Sequence, residues 1–482
     1  MNYSFLGPLL LAGLAAQAQA PTFAPVVAYP SGGLSPYGLA LADVNGDGRP
    51  DVVIANTYNS LLGVLLGNGN GTFQPVVTYA TGAGTSPRNV VVADVNGDAR
   101  PDLVFADIQG VGAVGVLLGN GDGTFQAVAR LTSAPGLTVD YVAVGDLNGD
   151  GRLDVVTASF MAAANGGAVQ VLPGNGNGTF QAARAYACGS AFSLALADVN
   201  GDGRLDVLTA NFFGDSAGVL LGNGDGSLQA EHSCSTGPNS TPYEVAVADV
   251  NADGRPDLLT ANYGSDALGV LLGNGNGTFQ AVAAYSTGPG STPAGLAAAD
   301  LNGDGHLDVV TANFGTDALG VLLGTGTGTF QAPLTFATGS GAGPLASPFN
   351  VVAADVNGDG QRDLLAANYT SAAAAVLLQT TPLATRSGLP GARATLAPNP
   401  AAEHARLALA GLPPAVVAVQ ATVLDATGRL VGSYALPVGH GAAQAELPTA
   451  AWAPGLYIVQ LRALGMGGAV VGQLPAARLS VP

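Results

Sequence analysis

Apolar residues along this chain come in short runs, separated by stretches rich in glycine, asparagine and aspartate. In the first repeating stretch the runs cover 38–42, 52–55, 63–66 and 73–79, which predicts four short strands joined by tight turns. No run within the repeats carries apolar residues at a 3.6-residue period with caps, so a helical solenoid is excluded. The pattern then returns. The segment Asp43-Val-Asn45-Gly-Asp47-Gly-Arg-Pro-Asp51 recurs from Asp94, Asp146, Asp198, Asp249, Asp300 and Asp355, at spacings of 51, 52, 52, 51, 51 and 55 residues. Seven four-stranded units of about this length fit the blades of a β-propeller better than any shorter repeat.

Each unit carries a second block, Leu65-Leu-Gly-Asn-Gly-Asn-Gly-Thr-Phe73-Gln74 in the first, which returns at Leu117, Leu172, Leu220, Leu271 and Leu322. The seventh unit stops at Val376-Leu-Leu378 without it, whereas Thr22-Phe-Ala-Pro-Val-Val-Ala-Tyr29 matches Thr72-Phe-Gln-Pro-Val-Val-Thr-Tyr79. The strand missing from the last unit therefore stands at the start of the chain. An N-terminal strand that completes the last sheet closes a ring and removes exposed edges. The expectation is an all-β chain: a seven-bladed β-propeller over 19–381, a linker over 382–391 and a small C-terminal β-sandwich over 392–482. The Gly-Asn-Gly-Asn-Gly-Thr blocks lack a lysine and a following helix, which excludes a phosphate-binding P-loop and leaves hairpin turns.

The nine-residue loops carry the chemistry. Oxygen-bearing side chains stand at positions one, three, five and nine: Asp43, Asn45, Asp47 and Asp51; Asp94, Asn96, Asp98 and Asp102; Asp146, Asn148, Asp150 and Asp154; Asp198, Asn200, Asp202 and Asp206. The later loops give Asp249, Asn251, Asp253 and Asp257; Asp300, Asn302, Asp304 and Asp308; Asp355, Asn357, Asp359 and Asp363. Alternate oxygens on a tightly wound loop suit calcium, which takes six to eight oxygen ligands. The backbone carbonyl of the seventh residue, Arg49, Arg100, Arg152, Arg204, Arg255, His306 or Gln361, is expected to add another. Up to seven calcium ions, one per blade, are expected. Ala99 replaces the sixth-position glycine of the second loop and Ala252 the fourth-position glycine of the fifth, so the Asp94 loop is expected to be the weakest site.

Composition supports this reading of the loops. The formal charge is −18, and 21 aspartates lie at loop positions one, five and nine. Seven divalent ions would bring that charge to −4. An acidic chain without lysine, whose 15 basic residues are all arginine, is a poor partner for nucleic acid and excludes lysine catalysis. The four histidines, His232, His306, His404 and His440, are isolated, and neither Glu231 nor Glu244 is marked by a second carboxylate. Cys188 and Cys234 lie in neighbouring repeats, where a disulfide and two buried thiols are both open. Irregular connections around 161–167 and 339–349 are the expected places for a ligand.

At the N-terminus an apolar core followed by Ala16-Gln17-Ala18 reads as a secretory signal peptide over 1–18, and nothing later is long and apolar enough for a membrane span. After Thr380 the charge changes sign. Residues before Ala392 carry −20 and those from Ala392 onward +2, which indicates a separate domain.

The seven Asp-x-Asn-x-Asp-x-x-x-Asp loops resemble those of the FG-GAP or VCBS-type repeats of integrin-α-like propellers. That resemblance implies calcium bound in each blade. Where that family often shows Gly-Ala-Pro after the acidic loop, Ala55-Asn56, Ala210-Asn211 and Ala312-Asn313 stand here. The segments Ala397-Pro-Asn-Pro400-Ala401, Val423-Leu-Asp-Ala-Thr-Gly-Arg-Leu-Val431 and Pro454-Gly-Leu-Tyr-Ile-Val459 resemble a type IX secretion C-terminal sorting domain. The combined expectation is a secreted or cell-surface calcium-binding propeller. It would act as a non-catalytic adhesion module for carbohydrate or protein, exported by the type IX machinery. A polysaccharide lyase or a structural surface protein is the alternative.

Overall fold

The structure is a computed structural model. It describes residues 20–109, 113–132, 138–161, 166–339 and 346–380, and in the C-terminal part 393–397, 404–410, 412, 416–424, 430–439, 441–449, 452, 455–464 and 470–481. The expected leader and linker, and most of the two irregular connections, lie outside the described residues. Two compact units result, Ala20–Leu301 together with Gly305–Thr380, and the C-terminal unit.

The first blade is a four-stranded antiparallel sheet of Pro36–Ala42, Asp51–Asn56, Leu61–Leu65 and Val77–Ala80, hydrogen-bonded in chain order. Five more sheets repeat it, with inner strands Pro87–Ala93, Thr138–Gly145, Ala191–Ala197, Pro242–Ala248 and Pro293–Ala299. The seventh takes Pro348–Ala354, Asp363–Asn368 and Ala373–Leu377 from the end of the array and its outer strand, Val27–Pro30, from the start. Val27 faces Val376 and Tyr29 faces Ala374. The bridge from Phe23 to Gln379 repeats the one from Gly67 to Phe73. Each inner strand meets the next, and Pro36–Ala42 meets Pro348–Ala354, so the seven-bladed ring is closed as expected.

Burial follows position in the blade. Every residue of Asp51–Asn56 is buried, because the second strand is covered on both faces by neighbouring blades, whereas Val77–Ala80 on the outside is mostly exposed. The core is a set of apolar layers between blades. Val53, Ala55, Leu62 and Val64 of the first blade pack on Val90, Leu103 and Phe105 of the second, and the closing interface sets Leu39, Val52 and Ile54 against Leu365, Ala367 and Val376.

Backbone bonds tie the same neighbours. Gly123 N–H donates to Val44 O (3.2 Å), Gly178 to Val95, Gly226 to Leu147, Gly277 to Val199, Gly328 to Val250 and, across the closure, Gly71 to Val356. The second block is therefore more than the hairpin turn its sequence implies, since each one clamps the acidic loop of the preceding blade. The seventh blade has no such block, and Gln379 Nε2 donates to Leu301 O (2.6 Å) in its place.

The C-terminal unit is the expected small β-sandwich. A three-stranded sheet (Arg393–Ala397, His404–Ala410, Ala443–Pro448) and a four-stranded sheet (Leu430–Pro437, Ala418–Leu424, Gly455–Leu464, Val470–Val481) enclose Leu407, Leu409, Val419, Val423, Leu447, Val459 and Leu461. Trp452 packs on Tyr457 at 4.9 Å between ring centroids. Cys188 and Cys234 are free thiols, so of the two options left open by the sequence the disulfide is not formed.

Closure can be tested at Phe23, whose ring packs edge-on against Phe336 at 4.8 Å and joins the adjoining apolar layer. Phe23→Ala is expected to cost about 2 kcal/mol in urea unfolding, less than a fully buried phenylalanine because the side chain is half-buried. Exposed Thr22→Ala should stay within about 0.5 kcal/mol. Equal effects of the two substitutions would contradict a packed closure.

Candidate functional site

The acidic loops and the Gly-Asn blocks sit at one end of the ring, because they join first to second and third to fourth strands. The turns between second and third strands sit at the other end, about 20 Å away for six residues of strand. Each end has its own chemistry.

Within the first loop, Asp43 Oδ1 accepts the N–H groups of Gly46 (2.8 Å) and Asp47 (3.0 Å), and its Oδ2 accepts that of Gly48 (2.7 Å). Asn45 Oδ1 accepts the same Asp47 N–H (3.0 Å), so the oxygens of positions one and three converge on one point. Asp47 Oδ1 takes the N–H of Arg49 (2.9 Å). Asp51 behaves differently. It is fully buried, with Oδ2 accepting Val44 N–H (2.9 Å) and Oδ1 accepting Gly67 N–H (2.7 Å).

The other loops repeat this pattern. The convergence on the fifth N–H recurs at Asp94 and Asn96, Asp146 and Asn148, Asp198 and Asn200, Asp249 and Asn251, and Asp355 and Asn357. In the sixth loop Asp304 N–H reaches Asn302 Oδ1 at 3.0 Å and Gly305 N–H reaches Asp300 Oδ2 at 2.9 Å. Asp102, Asp154, Asp206, Asp257, Asp308 and Asp363 bind as Asp51 does, with Gln379 N–H replacing the glycine in the last blade. Burial pushes the carboxyls of Asp51, Asp102, Asp154, Asp206, Asp257 and Asp363 up, against the pull of their two N–H bonds and with help from the first and fifth carboxylates. Asp363 reaches about 6.

The all-oxygen donor set at alternate positions has the chemistry calcium needs. Among the described residues, however, no three or more His, Cys, Asp or Glu side chains gather as a metal cluster. The ninth carboxylate is turned to backbone donors, and seventh-position arginines reach back to the fifth aspartate: Arg152 to Asp150 (2.5 Å), Arg255 to Asp253 (2.6 Å), Arg204 to Asp202 (3.8 Å) and Arg49 to Asp47 (3.9 Å). Gln361 Nε2 does the same to Asp359 (3.2 Å). The Arg255 hydrogen bond and charge hold Asp253 down at about 2.

Ala99 and Ala252 keep the left-handed backbone of the glycines they replace, at φ +63° and +58°.

At the opposite end the blades stop being alike. The second and third residues of the inner strands, or the third and fourth in the longer strand of the third blade, are Tyr37-Gly38, Arg88-Asn89, Asp140-Tyr141, Phe192-Ser193, Tyr243-Glu244, Ala294-Gly295 and Phe349-Asn350. The polar third residues have a shared task. An inner strand has no partner on its axial side, so its N–H groups need acceptors. Asn89 Oδ1 accepts Val142 N–H (2.9 Å), Ser193 Oγ accepts Val245 N–H (3.0 Å), Glu244 Oε2 accepts Leu296 N–H (2.8 Å) and Asn350 Oδ1 accepts Leu39 N–H (3.4 Å), each from the next blade. Where Gly38 and Gly295 stand, a Cβ would lie 2.6 Å from Arg88 O and 2.7 Å from Phe349 O, so the next blade leaves no room for a side chain.

Above this belt lies a continuous set of aromatic rings. Tyr37 stacks on Phe349 (4.0 Å), Phe192 lies between Phe160 (4.7 Å) and Phe212 (4.6 Å), and Tyr243 touches Phe192 (5.4 Å) and Phe349 (5.4 Å). Tyr263, Phe314 and Tyr369 extend the set outward, and Tyr58 and Phe213 form its exposed edges. Arg88 lies over the Tyr37 ring at 4.5 Å and pairs with buried Asp140, whose carboxyl burial pushes up to about 6 against that pairing. Beneath the rings is a chamber of about 30 Å³ bounded by Tyr37, Tyr141, Tyr243 and Glu244, and beyond it an axial cavity of about 530 Å³ between the inner strands.

Glu244 is the titratable member of the belt. Its second oxygen accepts the Tyr141 hydroxyl (3.2 Å), and burial pushes its carboxyl up to about 7. It is not paired with another carboxylate, as expected, yet its environment sets it apart. Glu231 is held by Asn211 Nδ2 (2.7 Å) and Gly189 N–H (2.9 Å). Reading the repeats for what differs between them, rather than what recurs, would have found this end.

A further departure from the sequence pattern also gains a cause. Asn56, Asn262, Asn313 and Asn368 close their second strands by donating to Ser31 O, Thr236 O, Thr287 O and Thr338 O of the preceding connection.

A family model described as FG-GAP-like repeat matches residues 43–105, 94–157, 160–209, 198–260, 249–311 and 300–366, well over half of the chain. The chain belongs to the FG-GAP-like repeat family. Among curated protein sequences none matches this FG-GAP-like chain. Two solved structures share its fold. One is BBS1N in complex with ARL6DN (12% identity, TM-score 0.52, 75% of this chain and 98% of that one), and the other is the periplasmic gluconolactonase PpgL of Pseudomonas aeruginosa (20% identity, TM-score 0.50, 63% and 86%). At these identities the likeness concerns fold alone.

Two tests follow from the geometry of these FG-GAP-like repeats. Ala99→Gly and Ala252→Gly should each stabilise the protein by about 1 kcal/mol in urea unfolding, since glycine carries no left-handed penalty; destabilisation would contradict the loop backbone. Glu244 binds its proton more tightly folded (about 7) than its ordinary 4.5, so its contribution to stability falls as pH rises between those values. Glu244→Gln mimics the protonated form. The variant should match wild type near pH 4.5 and exceed it at pH 8 by up to about 3 kcal/mol. A difference that is the same at both pH values would show that Glu244 titrates normally.

Proposed function

We propose that the chain is a calcium-stapled, non-catalytic binding module that acts outside the cell, with the aromatic axial end as its ligand face. The observation that carries this reading is the contrast between the two ends. Seven acidic loops repeat almost unchanged at one end, while the other gathers seven different inner-strand pairs and a sheet of rings. A frame held constant under a surface that diverges is the arrangement of a scaffold carrying a recognition site.

Calcium would be held by the side chains of positions one, three and five, the seventh carbonyl and the anchored ninth aspartate, as in Asp43, Asn45, Asp47, Arg49 and Asp51. Bound there, it would supply the positive charge that offsets three neighbouring carboxylates. Being at the far end, it would act on binding through the rigidity of the blades rather than by touching ligand.

The leader-like N-terminus and the C-terminal sandwich with its three sorting-like segments support export by a type IX route to the cell surface. No described helix is long and apolar enough to cross a membrane. A polysaccharide lyase is the second reading, and buried Glu244 against Tyr141 is the observation that favours it. That pair lines both the chamber, which admits a water but no sugar ring, and the axial cavity of about 530 Å³, whose mouth on this side carries Tyr37, Phe192, Tyr243 and Phe349; a sugar kept out by those rings supports the non-catalytic reading.

The first experiment is retention of the full chain on neutral and acidic polysaccharides and on immobilised extracellular proteins, with calcium and with chelator, while assaying for new glycan ends. Retention without cleavage, lost on chelation together with a fall in Tm, is the expected result. Each loop filled at 100 times its Kd should add about 2.7 kcal/mol to stability. The Asp94 loop is expected to fill last, because Ala99 must keep φ +63°. An unchanged Tm on chelation would sink the calcium reading, and new glycan ends would favour the lyase.

A further inference from the structure

The aromatic end is electrically quiet in a protein of formal charge −18. Its acidic groups are committed internally. Asp215 Oδ1 and Oδ2 take the N–H groups of Thr241 (2.9 Å) and Asn239 (2.9 Å), and Asp266 takes those of Thr292 (2.8 Å) and Gly290 (2.7 Å). Asp317 takes Ser347 N–H (2.8 Å), Asp107 pairs with Arg130, and Asp140 pairs with Arg88. Among the described residues the face therefore offers neither a free cation to hold a polyanion nor a free carboxylate to hold a cation. It offers ring faces edged with phenol hydroxyls, such as the Tyr58 and Tyr369 pair at 3.1 Å. That combination suits a ligand with apolar C–H faces and uncharged hydroxyls.

The shape narrows the ligand further. Tyr58, on the first blade, is 66% exposed, and Phe213, on the fourth, is 49% exposed; in a ring of seven these blades face each other across the axis. The rings between them are half-buried and fill the mouth of the axial cavity. The space directly beneath them, ahead of the axial cavity of about 530 Å³, is only about 30 Å³. A sugar ring therefore has no socket in which to end. A chain has a platform across which to lie.

Resting on the binding reading above, we propose that this face recognises the interior of an uncharged oligosaccharide chain laid across the axis from Tyr58 to Phe213, by stacking and neutral hydrogen bonds.

The test is calorimetric titration of the full chain, in calcium, with cellohexaose, xylohexaose and mannohexaose, the matching disaccharides and hexagalacturonate. At least one neutral hexasaccharide should bind at least tenfold more tightly than its disaccharide. Its affinity should change less than twofold between 0.1 and 0.5 M NaCl, because no ion pair is made. Tyr58→Ala and Phe213→Ala should each weaken it at least fivefold with unchanged Tm, while Val77→Ala, at an exposed outer-strand position, should leave it unaltered.

Preference for hexagalacturonate, equal affinity for disaccharide and hexasaccharide, or indifference to both aromatic substitutions would each overturn the proposal. So would failure of all three neutral hexasaccharides. If the chain is then still retained by an acidic polysaccharide or a protein, the binding reading stands and only the ligand class falls.

Discussion

The structure depends on one buried carboxylate, repeated seven times. Asp51 and its counterparts close the acidic loop through one oxygen and hold the end of the third strand through the other, from a position with no solvent exposure. A buried carboxylate is tolerated only when its lone pairs are met, and here two backbone N–H groups meet them. Removal of that side chain would free both donors at once and leave the second strand's first residue with no tie to the third strand. The clamp from the next blade's Gly-Asn block lands on the carbonyl of the loop's second residue, whose N–H the same aspartate holds. Blade geometry and blade-to-blade geometry thus meet at one residue.

That arrangement explains which parts of the fold were legible in the chain. Period, strand number and ring closure could all be read, because closure requires Thr22–Tyr29 to reproduce Thr72–Tyr79 and the acidic loops require aspartate at a fixed place. The inter-blade clamps were not legible. Gly71, Gly123 and their counterparts have the sequence of ordinary turns, and nothing in one chain says that their N–H groups point to a neighbour. The Asn that ends the second strand in five blades stands out in the sequence only as a departure from a family pattern; in four of them its amide bonds to the preceding connection, at Ser31 O for Asn56, and in the fourth blade Asn211 holds Glu231 instead. Repetition makes a frame visible and hides what each copy does to the next.

The candidate face was missed for the complementary reason. Glu244, Tyr141 and Arg88 occupy equivalent or adjacent places in three different blades, with 53 positions from Arg88 to Tyr141 and 103 from Tyr141 to Glu244, and no local motif joins them. Their relation follows from the ring alone, which brings Asn89 against Val142 and Glu244 against Leu296 of the next inner strand. The irregular connections singled out by length drew attention away from positions where length was constant and identity varied. Of the loop residues named in advance, the first and third converge on one backbone N–H, while the fifth takes the N–H of the seventh residue. The ninth serves the backbone first.

Divergence at the axis has a physical necessity as well as an opportunity. Seven inner strands converge there, and seven copies of one bulky or charged side chain would crowd or repel one another on so short a circumference. The ring resolves this unevenly. Glycine stands where neighbouring backbones close to within reach of a Cβ, Asn or Ser where one acceptor suffices, and Glu244 where both a backbone N–H and a hydroxyl from a non-adjacent blade must be met. Once the belt is irregular, the rings above it need not repeat either, and the mouth closes with Tyr37, Phe192, Tyr243 and Phe349 rather than seven equal residues. A symmetric frame therefore produces an asymmetric face through the side chains at equivalent places, and specificity at that face can change by single substitutions that leave the loops at the other end untouched.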